Sequence, residues 1–136
     1  MIVVLDSGVW ISALHFGGTP LLALERALAE DHIATCDEIK QEVIQVLWRK
    51  FGWDLSHIEE SLGMYLQDVI WVAIPGTLHG ACRDAKDDMV VECAVNAGAH
   101  LIVSGDKDLL TLGSYQGIRV VAARDYVSGS HSPGGG

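Results

Sequence analysis

The sequence has few cysteines, and their positions exclude the small frameworks that are built on them. Cys36, Cys82 and Cys93 are the three in a chain of 136 residues. An odd number at scattered positions argues against a set of disulfide bonds. No combination of cysteine and histidine has the spacing of a structural zinc site. We interpret the cysteines as reduced thiols that are mostly buried.

Long apolar runs and the familiar catalytic signatures are also absent. No apolar stretch approaches the ~20 residues that span a bilayer. Asp6 interrupts the first apolar run, and no basic segment precedes it as in a signal peptide. We therefore expect a soluble, cytoplasmic protein that makes no contact with a membrane. There is no G-x-S-x-G turn, no glycine-rich phosphate loop and no triad spacing among the histidines, so covalent catalysis has little support.

Basic residues are scarce relative to acidic ones. The chain has 9 Lys and Arg against 18 Asp and Glu, which gives a formal net charge of −9. This is the wrong sign for a protein that binds nucleic acid through a broad basic surface. The objection weakens if the acids are concentrated where divalent cations neutralise them.

The apolar pattern predicts alternating strands and helices. Strands are expected at 2–5, 32–35, 101–104 and 118–122, and helices at 9–14, 20–30, 37–51, 55–68 and 87–97. A helical turn is expected at 108–112, and 69–74 is either a strand or a buried helix end. This alternation predicts an α/β fold in which helices cover both faces of a mostly parallel sheet, a three-layer α/β/α arrangement.

The length fits one domain. We place this domain at residues 1–127 and interpret residues 128–136, which read SGSHSPGGG, as a flexible tail. Functional sites in such folds lie at the carboxyl ends of the strands.

Three acids stand where such a site is expected. Asp6 directly follows the first predicted strand, and Asp106 follows the strand 101–104 after one intervening glycine. A solvated turn or a helix cap explains either of them equally well. Glu42 lies beside the apolar stripe of the helix 37–51, where the alternative is a rim carboxylate with its head in water.

Asp87 is the sharpest case because it lies on an apolar stripe. It is spaced i, i+3, i+4 and i+7 with Val90, Val91 and Ala94. An unpaired buried charge is costly, so such an acid normally has a partner. The alternative is an N-cap, a position that favours Asp.

The segment 84–108 concentrates acids. It contains Asp84, Asp87, Asp88, Glu92, Asp106 and Asp108, with only Lys86 and Lys107 as basic residues. Acids that converge from separate strand and helix ends repel one another unless a cation lies among them. Oxygen-only ligands suit hard ions such as Mg²⁺ and Mn²⁺.

Three stretches carry a family resemblance. They are IVVLDSGVWISAL at 2–14, EIKQEVIQVL at 38–47 and RDAKDDMVVECAVNAGAHLIVSGDKDLL at 83–110. Together they resemble the PIN domain family over nearly the whole folded chain, and within it the VapC-type toxins of toxin–antitoxin systems. The family usually has Asn where this chain has Gly8, and Pro is common where it has Ala85.

The resemblance implies a Mg²⁺- or Mn²⁺-dependent endoribonuclease with an antitoxin partner and a homodimeric state. By motif position the catalytic metal ligands would be Asp6, Glu42, Asp87 and Asp106. Asp108 and Asp84 are secondary candidates, and Asp88 is the alternative to Asp87 if the motif is misaligned by one residue.

RNA would be held by few side chains. We assign phosphate or substrate contacts to Lys86, Lys107, Ser7 and Ser104, with Ser104 at the rim of the site. Ser7 and Ser12 are also candidate hydrogen-bond donors to the carboxylates. Further contacts to the RNA backbone are assigned to Arg83, Arg49 and Lys50. Packing is the favoured interpretation of the four tryptophans, although any of them is able to stack on a base.

Two other functions fit the same residues. A catalytically weak PIN fold that binds RNA or protein is favoured by Gly8 and by the net acidity. An aspartyl-phosphate protein also gathers acids at strand ends. That class is expected to have its nucleophilic Asp after a middle strand, whereas Asp6 follows the first.

Overall fold

The computed structural model describes residues 1–129 and places six strands in one sheet. In chain order the elements are β1 (Ile2–Leu5), α1 (Ser7–His15), α2 (Gly18–Glu30), β2 (His32–Thr35), α3 (Asp37–Arg49), α4 (Leu55–Tyr65), β3 (Ile70–Trp71), α5 (Ala85–Ala97), β4 (Leu101–Val103), α6 (Lys107–Leu112), β5 (Ser114–Tyr115), β6 (Ile118–Val121) and α7 (Ala123–Ser128). Helix α7 reaches one residue past the predicted domain boundary at 127. The predicted tail from residue 130 onward lies outside the described residues.

The sheet confirms the predicted α/β architecture. Its strand order is β3-β2-β1-β4-β6-β5. All neighbouring pairs are parallel except β5 and β6, which are antiparallel. From β1 the chain builds outward to β2 and β3, and then crosses to β4 and β6 on the other side of β1. The carboxyl ends of β1 and β4 therefore form the point where the winding reverses, which is where open α/β sheets bind ligands.

Burial explains why the apolar runs become central strands. Val3, Val4 and Leu5 of β1 are fully buried, as expected for a strand covered by helices on both faces. Helix α3 buries Ile39 and Val43 on its predicted stripe. Within residues 1–129, no helix is both long and apolar enough to cross a bilayer.

Two short elements differ from the sequence prediction. Strand β5 contains only Ser114 and Tyr115, and the turn at Gln116 and Gly117 leads it into β6. Helix α7 buries a single residue, Tyr126. Neither element is long enough to show a period in hydrophobicity. The ambiguous stretch 69–74 contains the two-residue edge strand β3.

Two acids of α5 hold the long connection between β3 and α5. Residues 72–84 form neither helix nor strand. Asp88 accepts hydrogen bonds from the backbone N–H groups of Gly80 (3.0 Å) and Cys82 (2.6 Å). One turn further along, Oε2 of Glu92 accepts hydrogen bonds from the backbone N–H groups of Gly76 (3.1 Å) and Thr77 (3.2 Å). The two carboxylates, both buried, thus replace the missing secondary structure as partners for the connection's backbone.

This arrangement corrects one expectation from the sequence. Asp88 and Glu92 were grouped with the acids that converge on a cation. The structure instead turns both of them to the connection 72–84, where backbone N–H groups compensate their charge.

The substitution Asp88→Asn is expected to destabilise the protein by about 1–3 kcal/mol, because both oxygens accept backbone hydrogen bonds and an amide must turn its NH₂ group toward one donor. Urea unfolding measures this loss. Glu92→Gln is the matched control and should cost less, since a single oxygen accepts the bonds of Gly76 and Thr77. Equal stability of Asp88→Asn and the wild type would contradict the proposed role of the carboxylate.

Candidate metal centre

A cavity of about 580 Å³ opens at the carboxyl ends of β1 and β4. The acids that line it are Asp6, Glu42, Asp84, Asp87 and Asp106. They come from the end of β1, the middle of α3, the start of α5 and the loop before α6. The four acids to which the sequence assigns catalysis therefore face one space.

Asp6 is placed by the meeting of a strand and a helix. Its backbone N–H donates to the carbonyl of Val103 (3.1 Å), which continues the β1–β4 ladder by one residue. As the N-cap of α1, its Oδ1 accepts a hydrogen bond from the backbone N–H of Val9 (2.8 Å). Its Oδ2 accepts a hydrogen bond from the Ser104 hydroxyl.

Burial raises the pKa of Asp6 to about 6. The hydrogen bonds from Ser104 and Val9 act in the opposite direction, and the negative charges of Asp106 and Glu42 add to the increase. The charges of Asp106 and Glu42 thus act on Asp6 from other walls of the cavity.

Ser104 connects the two strand ends. Its side chain is fully buried. Its Oγ donates to Asp6 and accepts a hydrogen bond from the backbone N–H of Asp106 (2.9 Å). This position differs from the expected one at the rim, because the hydroxyl is enclosed between the carboxylate of Asp6 and the backbone of Asp106. The signal that was available is its place in the parallel register, directly after β4 and beside the end of β1.

Asp87 is a buried carboxylate with an unsatisfied oxygen. It is 8% exposed, and its Oδ2 has no hydrogen-bond partner among the described residues. The N-cap of α5 is Asp84, whose Oδ1 accepts a hydrogen bond from the backbone N–H of Lys86 (3.0 Å). Capping, the alternative considered for Asp87, is therefore carried out by Asp84.

The surroundings of Asp87 favour its protonated form when no cation is present. Burial raises the pKa of Asp87 to about 7, and the charge of Asp106 is the next largest cause. One ligand oxygen from each of Asp87, Asp106 and Asp108 lies within 4.8 Å of the others. Such an arrangement of oxygens is suited to a hard cation.

Asp106 combines two roles. Its Oδ1 caps α6 by accepting hydrogen bonds from the backbone N–H groups of Asp108 (2.8 Å) and Leu109 (3.1 Å). Asp6 and Asp106 are thus both helix caps, as the alternative interpretation expected, and both also line the cavity. A carboxylate that caps a helix can still bind a cation, because its two oxygens offer about four lone-pair sites.

Glu42 and the candidate substrate contacts lie around these acids. Glu42 is half-buried and lines the cavity from α3. Lys86 is exposed, and it lines the same cavity together with Ser7 and Ser12 of α1. Lys107 is exposed on the first turn of α6, next to Asp106. The ion pairs found within residues 1–129 join Met1 to Asp31 and Arg26 to Glu30, so none of them neutralises an acid of the cavity.

Gly8 also lines the cavity. It lies within α1, and a Cβ at this position would be 3.4 Å from Oδ1 of Asp6, which is ordinary van der Waals contact. The space beside Asp6 would therefore accept a side chain that this chain lacks.

The comparisons with known proteins agree with this fold. The family model described as PIN domain matches residues 2–108. The chain is similar in structure to VapBC2 from Rickettsia felis bound to a DNA fragment from their promoter (TM-score 0.67, 13% identity, 90% of this chain and 98% of the other). It is also similar to VapC20 from Mycobacterium tuberculosis, a sarcin–ricin loop cleaving toxin (TM-score 0.59, 14% identity, 86% and 98%). At these identities the two likenesses show the fold alone, and no curated protein matches the sequence.

The metal-free protein should lose stability as pH rises from about 4 to about 7. The pKa values of Asp6 and Asp87 are raised in the folded state from 3.8 to about 6 and about 7, so the folded state binds more protons than the unfolded chain in this range. Asp87→Asn removes one of these charges. In EDTA it should therefore stabilise the protein at pH 8 by on the order of 2–4 kcal/mol, and by less at pH 5.

Urea unfolding of both proteins at the two pH values checks this expectation. Asp88→Asn, one residue away, is the control and should destabilise at both. An Asp87→Asn variant that is less stable than the wild type at pH 8 would show that the cavity acids do not repel one another.

Proposed function

The chain belongs to the PIN domain family, and from this premise we propose that it is a Mg²⁺- or Mn²⁺-dependent endoribonuclease. The observation that carries the proposal is the cavity, where Asp6, Glu42, Asp87 and Asp106 converge from separate segments and an oxygen of Asp87 is buried without a donor. Such an oxygen is costly to bury unless a cation or a proton compensates it.

The donor set fits a divalent ion. Asp87, Asp106 and Asp108, whose oxygens lie within 4.8 Å of one another, would hold it together with Asp6 and Glu42, which line the cavity. When bound, Mg²⁺ or Mn²⁺ would polarise the phosphodiester and make water a stronger nucleophile near neutral pH. Because the pKa of Asp87 is raised to about 7, the site must release a proton to bind the ion, and affinity should fall below that pH.

The remaining residues of the site orient these acids and the RNA. The Ser104 hydroxyl fixes the carboxylate of Asp6 and thereby acts as a positioning residue. Lys86 lies at the cavity wall and Lys107 beside Asp106, where each would attract a phosphate group. Ser7, in the first turn of α1, would donate a hydrogen bond from its hydroxyl to a phosphate oxygen of the RNA.

We further propose that the chain is the toxin of a toxin–antitoxin pair. The support is the fold that it shares with VapBC2 and with the toxin VapC20, together with the motifs that resemble VapC-type toxins. A protein antitoxin would then be its partner and a homodimer its working form.

Gly8 favours a second candidate, a catalytically weak PIN fold that binds RNA or protein. Where the family usually has an Asn, Gly8 lines the cavity beside Asp6 and offers no side-chain amide. Loss of that amide would leave the acid less firmly held and the ion less tightly bound.

Asp6→Asn and Asp87→Asn should each reduce Mn²⁺-dependent cleavage of RNA by more than about 100-fold, because each removes a ligand charge. Cleavage of a labelled RNA by the purified variants, whose circular dichroism verifies folding, measures the loss. Glu92→Gln should stay active, since Glu92 bonds the connection 72–84 instead of facing the cavity. Full activity in both Asp variants would contradict the assignment of Asp6 and Asp87 as catalytic metal ligands.

Gly8→Asn should raise Mn²⁺ affinity and the cleavage rate severalfold, because it adds an amide beside Asp6 at a position that lines the cavity. Gly8→Ala is the matched control, which fills the Cβ position without supplying a donor and should bring no gain. Metal titration and cleavage kinetics of the three proteins make the comparison. A slower Gly8→Asn enzyme would indicate that the site is built to work without the amide.

A further inference from the structure

Five rings assemble at the end of α1 that lies away from β1. This aromatic platform consists of His15, Phe16, Phe51, Trp53 and His57. His15 stacks on Phe51 with centroids 4.1 Å apart and planes at 29°, and Phe16 meets His15 edge-on at 4.6 Å. Trp53 donates its indole N–H to Nδ1 of His15 (3.0 Å) and lies 4.7 Å from the ring of His57.

The platform is ordered but largely open to solvent. Phe16 is 71% exposed, His15 and His57 are also exposed, and Phe51 and Trp53 are half-buried. Phe51 and Trp53 pack partly against the core, but core packing does not account for Phe16, in contrast to Trp10, which is 2% exposed. Contiguous exposed apolar surface with polar groups around it marks a binding site.

The platform continues a wall of the acidic cavity. Gly8, Ile11 and Ser12 of α1 line that cavity. His15 follows them at helical spacing i+7, i+4 and i+3, so it lies on the same face of α1. The distance along the helix from Gly8 to His15 is about 10 Å, close to three stacked nucleotides at roughly 3.4 Å each.

Helix α3 also lines the cavity, and positive charge lies at its end, where Lys50 contacts a ring of the platform. Glu42 lines the cavity, and Arg49 follows it by seven residues on the same face of α3. The Arg49 guanidinium is 5.5 Å from the ring centroid of Trp48, and the Lys50 ammonium is 5.6 Å from that of Phe51. In a chain of net charge −9, a cation on a platform ring and a second cation at the next position along the chain favour an anionic aromatic ligand over an apolar one.

We propose that the aromatic platform is a base-stacking subsite for single-stranded RNA, which binds nucleotides a few positions away from the phosphate held in the cavity. Phe16 and the His15–Phe51 pair stack on unpaired bases, while Arg49 and Lys50 contact the backbone. The register of the strand rests on the proposed function, because it assumes that the scissile phosphate lies among the acids.

The test uses Phe16→Ala, since a side chain this exposed contributes little to folding. Trp71→Ala is the matched control: Trp71 is an exposed ring (49%) on β3 with the Lys40 ammonium 5.8 Å from its centroid. Fluorescence anisotropy with a labelled, unstructured ten-nucleotide RNA measures affinity in Mg²⁺, with Asp87→Asn as the common background so that cleavage does not intervene. Cleavage kinetics of the two substitutions in the otherwise wild-type enzyme supply KM and kcat.

Phe16→Ala should weaken RNA binding by about fivefold or more and raise KM with little change in kcat, whereas Trp71→Ala should change neither. If the wild type cleaves RNA and Phe16→Ala matches Trp71→Ala, the subsite is overturned while the proposed nuclease stands. If Phe16-dependent RNA binding occurs without any cleavage by the wild type, the subsite stands and the nuclease fails. Unchanged RNA binding with altered self-association in sedimentation would make the platform a protein interface and overturn the proposal.

Discussion

The convergence of like charges at one edge of the sheet is the constraint on which the site depends. The parallel register of β1 and β4 pairs Leu5 with Val103, so the next residues of both strands must emerge side by side. Those residues are Asp6 and Ser104, and Asp106 follows Ser104 after Gly105. The buried Ser104 hydroxyl donates to the Asp6 carboxylate and accepts from the backbone N–H of Asp106, and so connects the two segments that carry these acids. Burial first, and the neighbouring carboxylates after it, raise the pKa values of Asp6 and Asp87 in this arrangement.

Helix phase divides the neighbouring acids of α5 between two tasks. Asp87 faces the cavity with an oxygen that lacks a donor, whereas Asp88 accepts two backbone N–H groups of the connection 72–84. The step of about 100° between consecutive helical residues is enough to separate them. The same acid-rich segment therefore supplies both the charge that a cation would neutralise and the bonds that order the adjacent chain.

Much of the fold and part of the site could be predicted, because the relevant signals are local and periodic. The apolar run of β1, the stripe of α3 and the spacing of Asp87 with Val90 and Val91 each predict burial on a definite face. The parallel sheet then brings the ends of distant strands together. The enclosed position of Ser104 and the contacts of Asp88 were not predicted, because each depends on a partner from another segment of the chain. Strand β5 and helix α7 were also missed, because they are too short to show a period in hydrophobicity.

The proposed base-stacking subsite begins at His15, on the face of α1 whose earlier residues line the cavity, so RNA bound there would lie beside the acids. The central claim is that the acids of the cavity bind a divalent cation. Anomalous scattering from crystals soaked in Mn²⁺ tests it most directly. The account predicts anomalous density in contact with Asp87 and Asp106, within reach of Asp6 and Glu42. Crystals at saturating Mn²⁺ with no density there, or with density only at other surface acids, would contradict it.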